Sequence, residues 1–458
     1  MEYREAVHYL LGLADWERMM APSGQRPRYD LGRMEVLVER LGSPHRVIPA
    51  VHITGSKGKG STSAMLASIL TSAGYKVGLY TSPHLHTFCE RIRFGLEPVS
   101  PQTFARLVDT VRPIADTLTQ EGTWGRVTTF EFLTAMAFVG FRDAGCHFQV
   151  LEVGLGGTLD ATNVIPPPLV SVITSISLDH THNLGNSVAQ IARDKAGIIK
   201  TGGQAVTAPQ AEPALEEIRQ RARVVGASLV EVAQAYRWRR GPWSLEGQHF
   251  TIDGPQGRLE AWMPLLGEYQ LENAACALAA VDILRRQGVA LPEEAVREGF
   301  RRVRWPARLE VLRRRPLVVA DGAHNPYSVA RLCEAVRDYL APRRVLLVFG
   351  ASSDKDIPGM AEALVPMAPK VFVARSRHPR SASVERVALA LAQCGLEAVP
   401  CGGVLDALQQ ALSNAQEGDL VLAAGSLFVA GEVREALLGI TPETYPEIPQ
   451  VVLKPVAP

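Results

Sequence analysis

From about residue 50 onward, short apolar runs alternate with segments whose apolar positions recur every three to four residues, the pattern of strand followed by helix. Ala50-Val-His-Ile-Thr54 is expected as a strand. Ser61–Ser72 is expected as a helix with Met65, Leu66, Ile69 and Leu70 on one face and Gly74 ending it. Lys76-Val-Gly-Leu-Tyr80 reads as the next strand, and Thr128 with Glu131 three residues later as a capped helix start. Phe148–Val153 and Leu169–Thr174 are apolar runs of the kind buried on both faces of a parallel sheet. Strand and helix in repeated alternation predict a doubly wound α/β domain.

Between about residues 228 and 265 the texture changes: Phe250–Asp253 and Arg258–Trp262 flank a Gly/Pro turn, predicting a small antiparallel excursion. An Ala-rich helix is expected from about Leu271 to Leu284. The short, charged, proline-ended stretch Arg301–Pro306 marks the expected domain boundary. Beyond it the alternation restarts with strands at Leu317–Ala320, Val345–Phe349, Val371–Ala374 and Leu420–Ala423, predicting a second, smaller Rossmann-like domain. The expected division is residues 1–303 and 304–458, with a loosely packed proline-rich tail after Tyr445.

At 458 residues and 47% hydrophobic, the chain is long enough for two such domains. Lys+Arg 48 nearly balance Asp+Glu 47, so no bulk charge favours nucleic acid or an anionic membrane, and any phosphate binding must be local. Six scattered cysteines show neither paired metal-ligand spacing nor a small-domain disulfide pattern, which fits reduced thiols. The N-terminus lacks a signal-peptide pattern and no stretch is long and apolar enough to span a bilayer, so a soluble cytoplasmic protein is expected.

The strongest chemical signal is Gly55-Ser-Lys-Gly-Lys-Gly-Ser61 between a strand and a helix. Glycines let backbone N–H groups converge, the helix start adds partial positive charge, Lys59 can reach a terminal phosphate and the Ser61 hydroxyl can ligate Mg²⁺. The plain alternative is a glycine turn with surface lysines. The spacing departs from the common Walker A form, because only Ser56 and Lys57 separate Gly55 from Gly58. Glu152, near the end of an apolar strand, is either a ligand group at the carboxyl edge of the sheet or an acidic loop residue. In Ser177-Leu-Asp-His-Thr-His182, each histidine taken singly is more often packed or on the surface than a ligand. Lys195 falls by i, i+4 spacing within the apolar stripe of Val188, Ile191, Ala192, Ile198 and Ile199, while Asp194 and Lys200 fall outside it. A lysine facing a core needs a partner, a depressed pKa or a modification such as a carbamate; otherwise it snorkels outward. Asp321-Gly-Ala-His-Asn-Pro326 and Gly350–Asp356 are polar loops at strand ends, where a second substrate would be held.

In order and spacing these segments resemble the folylpolyglutamate synthase and dihydrofolate synthase family of the Mur ligases. The resemblance runs from about Tyr29 through the second domain, and also takes in Thr81-Ser-Pro-His-Leu85, Glu90-Arg-Ile-Arg93, Thr128-Thr-Phe-Glu131, Leu151–Gly157, Leu159-Asp-Ala-Thr-Asn163 and Lys195-Ala-Gly-Ile198. It implies a two-domain α/β fold with the active site in the cleft. It also implies a reaction in which ATP phosphorylates a substrate carboxylate and L-glutamate then attacks the acyl phosphate. ATP would be held by Gly55, Ser56, Lys57, Gly58, Lys59, Gly60 and Ser61, with Asn273, Arg308 and Asp321 also contacting it. Ser61, Ser82 and Glu152 would gather round one Mg²⁺, and His180 with a carbamylated Lys195 round a second. Lys59, His180, Lys195 and His324 are the implied catalytic residues. Thr128, Phe130, Asp160 and Asn163 resemble positions near the pterin of a folate or dihydropteroate, over which the Gly/Pro-containing stretch Met20–Pro27 could close. The chain is expected to act as a monomer. Two departures stand out: Ser56-Lys57 replaces the frequent Thr-Asn pair, and Thr158 stands where arginine is usual. A cell-wall Mur ligase would carry a nucleotide-sugar domain ahead of the phosphate loop, where only about fifty residues precede it here. A P-loop switch or motor would carry the longer Walker A spacing.

Overall fold

The computed structural model describes residues 1–14, 31–179 and 181–443; the Met20–Pro27 stretch, His180, the side chain of His182 and the tail after Tyr445 lie outside them. The first sheet has eight strands: β1 (Ala50–Thr54), β2 (Val77–Tyr80), β3 (Ile92–Phe94), β4 (Glu97–Pro98), β5 (Phe148–Glu152), β6 (Val170–Ile173), β7 (Gln204–Thr207) and β8 (Ser228–Glu231), in the order 4-3-2-5-1-6-7-8. β1 lies between β5 and β6, both parallel to it, with Val51 opposite Val150 on one side and Val170 on the other. The chain leaves these three strands at one edge, at the point where the strand order reverses, which is where open α/β sheets bind ligands.

Alternation along the strands builds a core on each face. Val51, Ile53, Leu79 and Val150 pack with the helices Lys59–Ser72 and Glu268–Arg286, whereas Ala50, Tyr80 and Leu151 pack with Pro101–Glu121 and Thr129–Asp143. The phosphate-loop helix begins at Lys59, two residues earlier than the apolar pattern implied, because Gly58 (φ 87°) caps it. It is also buried on every side, since its small residues admit a second helical layer; Ser68 Oγ donates to the Gly299 carbonyl at 2.7 Å.

The excursion is a three-stranded antiparallel sheet of β9 (Arg237–Ser244), β10 (Gly247–Gly254) and β11 (Gly257–Met263). β9 has no alternating pattern because most of it is exposed. The helix Glu293–Arg302 then leads to the second large sheet: β12 (Glu310–Arg314), β13 (Leu317–Ala320), β14 (Val345–Phe349), β15 (Lys370–Val373), β16 (Ala398–Pro400) and β17 (Leu420–Ala424), in the order 12-13-17-14-15-16. Again the strands alternate, with Val319, Leu347, Phe349 and Leu422 in one core and Val318, Leu346, Val348 and Val421 in the other. Val303 belongs to the core of the first sheet and Ala307 to a core of the second. Among the described residues no helix is long and apolar enough to cross a membrane.

Candidate active site

The loops after β1, β5 and β6 meet those after β13 and β14 across a cleft. After β1 the chain turns at Gly58, whose positive φ and close approach to Asn273 Oδ1 leave no room for a Cβ. The amides of Lys59, Gly60 and Ser61 therefore open the helix, where first-turn N–H groups lack helical acceptors and attract an anion. Lys59 Nζ folds back to the Gly55 carbonyl at 3.1 Å, poised over the same turn. Ser61 is buried within it. The amides of Ser56 and Lys57 point elsewhere, to the Ser175 carbonyl at 2.9 and 3.1 Å, and Ser56 Oγ donates to the Ser177 carbonyl at 2.9 Å. Asn273 Nδ2 donates to Gln270 Oε1 at 3.0 Å, which turns Oδ1 toward Gly58.

Glu152, the last residue of β5, is buried, and its Oε2 accepts the Ser82 amide at 3.2 Å. Burial pushes its carboxyl up to about 6 against the pull of Lys59 and that one amide. Lys195 ends the helix Val188–Lys195, whose Ile191 and Ala192 pack in a core while the lysine lines a cavity with Lys59, Gly154, Gly156 and Asp179. Its amine makes no hydrogen bond or ion pair among the described residues, and burial, helped by nearby Lys59, lowers it to about 7. Asp194, outside the apolar stripe, acts beside Lys195 through its backbone. Its carbonyl accepts both the amide and the Oγ1 of Thr158, at 3.1 and 2.8 Å, so the loop after β5 is fastened to the last turn of the helix that carries Lys195. Burial raises the Asp194 carboxyl, and Lys195 offsets part of that rise.

The two sheets are joined by a charged cluster. Lys57 Nζ donates to Asp179 Oδ2 at 2.9 Å and to His324 Nε2 at 2.9 Å, and Lys355 Nζ donates to Asp179 Oδ1 at 2.9 Å. His324 Nδ1 donates to the Gly322 carbonyl at 2.7 Å, which leaves Nε2 as the acceptor. Burial first, then Lys57 and Lys355, hold this imidazole well below its usual range, and burial lowers Lys57 to about 8. Asp321 accepts the amides of Leu309 and Ala323, both at 2.8 Å, and Arg308 donates to the Ala307 carbonyl at 2.8 Å beside it. Burial raises the Asp321 carboxyl, with Arg308 opposing.

On the other side of β5, Thr128 caps the helix Thr129–Asp143 in a capping box with Glu131. Phe130 lies 5.9 Å from the Tyr80 ring and so close to Gly154 that a Cβ there would strike it. Asp160 turns both oxygens inward, to the amides of Gly154, Leu155 and Thr162 and the Thr162 hydroxyl. Asn163 Nδ2 ties the Thr158 carbonyl at 3.0 Å to that of Gly197 at 3.4 Å.

The structure thus gathers the phosphate loop, Ser82, Glu152, Lys195, Asp321 and His324 round one cleft, with Phe130 at its flank. Sequence reasoning left out Asp179 and Lys355 as site residues. The signal was present, since both sit in polar loops at strand ends, but residue type alone does not say which partner such a side chain meets. Among the described residues no group of three His, Cys, Asp or Glu could hold a metal ion. Glu152 nevertheless suits Mg²⁺, which takes one or two carboxylates and fills its remaining sites with hydroxyls, waters and substrate phosphates.

The Mur ligase middle domain matches residues 53–281, and the glutamate ligase domain of Mur ligases matches residues 307–427. The folylpolyglutamate synthase of Lacticaseibacillus casei is 34% identical over 96% of this chain and 99% of its own. The dihydrofolate synthase/folylpolyglutamate synthase of Bacillus subtilis is 36% identical over 89% of this chain and 94% of its own. The Mycobacterium tuberculosis folylpolyglutamate synthase, solved in complex with ADP and AMPPCP, superposes with a TM-score of 0.87 at 33% identity, covering 96% of this chain and 99% of that one.

Proposed function

This chain belongs to the folylpolyglutamate synthase and dihydrofolate synthase family of Mur ligases, and we propose that it joins L-glutamate both to reduced folates and to dihydropteroate. It is an ATP-dependent ligase. The observation that carries the reading is the convergence, on one cleft, of a helix N-terminus bearing Lys59, the buried amine of Lys195 and the second-sheet residue His324.

A carboxylate is a poor electrophile at neutral pH. Its oxygen attacks the γ-phosphorus of ATP, ADP leaves, and the acyl phosphate so formed is attacked by the glutamate amine. Phosphate leaves with the C–O bond as the amide forms, and the amine gives up a proton. The first-turn amides of Lys59, Gly60 and Ser61 hold the phosphates, and the Lys59 ammonium offsets charge on the oxygen that bridges to ADP. Mg²⁺ held by Glu152, Ser61 and Ser82 would supply further charge neutralisation there. The neutral Lys195 amine would add CO₂ and release a proton to water to give a carbamate, which with His180 would form a second cation site. His324, held neutral with Nε2 accepting from Lys57, helps shape the second-sheet side of the cleft where the glutamate amine would arrive, and the amine's proton passes to the departing phosphate or to water. Thr128, Phe130, Asp160 and Asn163 shape the wall against which the pterin would rest, Asp160 by gripping backbone and Phe130 by its ring. Asn273, Arg308 and Asp321 line the nucleotide side.

We also divide the chain into units of residues 1–303 and 304–458, a reading supported by Val303 packing in a core of the first sheet and Ala307 in a core of the second. We place the reaction in the cytoplasm, where ATP is supplied and the six free cysteines stay reduced. The test is ATP-dependent incorporation of labelled glutamate, with dihydropteroate and tetrahydrofolate offered separately. Product from both supports the dual reading. Product from tetrahydrofolate alone restricts the enzyme to polyglutamylation, and product from neither overturns the proposal.

A further inference from the structure

His52 sits in the central strand, fully buried, with Leu151 and Ser171 as its strand neighbours, and the chemistry above makes no use of it. Its Nε2 lies 2.8 Å from Thr162 Oγ1. That hydroxyl has one proton, and it goes to Asp160 Oδ1 at 2.5 Å, an oxygen that also accepts the Thr162 amide at 3.0 Å. Asp160 Oδ2 accepts the amides of Gly154 and Leu155, each at 3.0 Å. Burial raises the Asp160 carboxyl, but four donors aimed at its two oxygens hold it as an acceptor only, so the hydroxyl presents a lone pair to the imidazole and Nε2 must carry the ring proton. Nδ1, buried and without a partner among the described residues, is then a bare acceptor, a smaller penalty than a buried N–H with nowhere to donate. Burial keeps the ring neutral, its pKa lowered to about 3. The relay ends on the turn whose Gly154 and Gly156 wall the cavity beside Lys59 and Lys195, two residues past Glu152.

We propose that His52 is a positioning residue for ligation: through Thr162 it fixes the orientation of Asp160, and through Asp160 the Gly154–Leu155 turn that forms the wall of the cleft. This rests on the ligase reading above, but its structural half can be tested without substrate. A turn free to shift by even part of an ångström would misplace the reacting groups while leaving most nucleotide contacts intact.

Three variants and one spectrum test it. His52→Leu fills similar space without a donor, His52→Gln keeps an amide near the Nε2 position, and Thr162→Val removes the hydroxyl at nearly constant shape. His52→Leu and Thr162→Val are each expected to lower kcat about 10-fold or more with KM for ATP changed less than about 2-fold. His52→Gln should recover most of the loss, and the double variant His52→Leu/Thr162→Val should be no worse than either single one. Nitrogen-15 NMR of the histidine-labelled free enzyme should show His52 as the neutral Nε2–H tautomer. Wild-type turnover in His52→Leu or in Thr162→Val, a His52→Gln variant as impaired as His52→Leu, or an Nδ1–H tautomer would each overturn the proposal. If His52→Leu does not fold, Thr162→Val and the spectrum decide. Failure of the wild-type enzyme to ligate any folate refutes the ligase reading instead, and the tautomer then stands or falls alone.

Discussion

Burial holds the Lys195 amine at about 7, so a sizeable neutral fraction is present at physiological pH, the form that adds CO₂. Lys195→Ala is expected to lose about 10³-fold or more in ligation, as removal of a charge-stabilising group does, and formate or acetate should restore part of it. Unchanged turnover in the variant would remove Lys195 from the mechanism. Glu272 offers a separate check on the electrostatics away from the cations. Burial pushes its carboxyl from 4.5 to about 7, with Arg331 opposing. A carboxyl raised on folding binds its proton more tightly in the folded state. Its stabilising contribution is therefore whole below about pH 4.5 and is lost as pH rises through about 7. Glu272→Gln should flatten that loss, which is on the order of 3 kcal/mol, and urea midpoints at pH 5 and pH 8 for both proteins measure it. A wild-type slope unchanged by the substitution would contradict the raised carboxyl. Single residues were legible in the sequence where periodicity spoke for them. Lys195 interrupts an apolar stripe and is visible; Asp194 acts on Thr158 through its backbone carbonyl, which leaves no mark on residue type.

The helix Thr129–Asp143 is held by more than its cap. Arg33, in the helix Leu31–Arg40, reaches both oxygens of Glu131 at 2.9 and 2.8 Å with Nε, and the Trp124 carbonyl at 2.9 Å with Nη1. Arg33 and Glu131 are both buried, so removing one partner leaves a charge without compensation. Arg33→Met should cost about 3 kcal/mol in stability, read by denaturant unfolding. Because the same carboxylate closes the capping box on Thr128, KM for dihydropteroate should rise several-fold while ATP affinity holds. A variant with wild-type stability would show the pair to be unimportant. Short apolar runs buried on both faces, such as β1, β5 and β14, lie where the sequence placed them. β9 escaped because an exposed edge strand has no buried face to pattern. The start of the phosphate-loop helix was placed two residues late because its first turn is chosen by Gly58 and its phosphate chemistry, not by apolar spacing.

Across the molecule, Lys57, Asp179, Lys355 and His324 come from loops on two sheets, and their contact leaves no local pattern although each loop is visible in the sequence. Each loop follows a strand and so lies at the edge of its own sheet; which side chains meet is decided by packing between the sheets. His324 reaches the cleft from the second sheet, so His324→Ala should lower kcat/KM for glutamate about 100-fold and change ATP affinity by less than about 3-fold. A collapse of ATP binding with glutamate dependence intact would reverse the assignment of the two sides. A carboxylate activated as an acyl phosphate in this cleft dictates where oxygen goes. With the substrate carboxylate labelled in ¹⁸O and ATP unlabelled, each amide formed should release one phosphate carrying one ¹⁸O. Phosphate free of label, with amide still being made, would contradict the account.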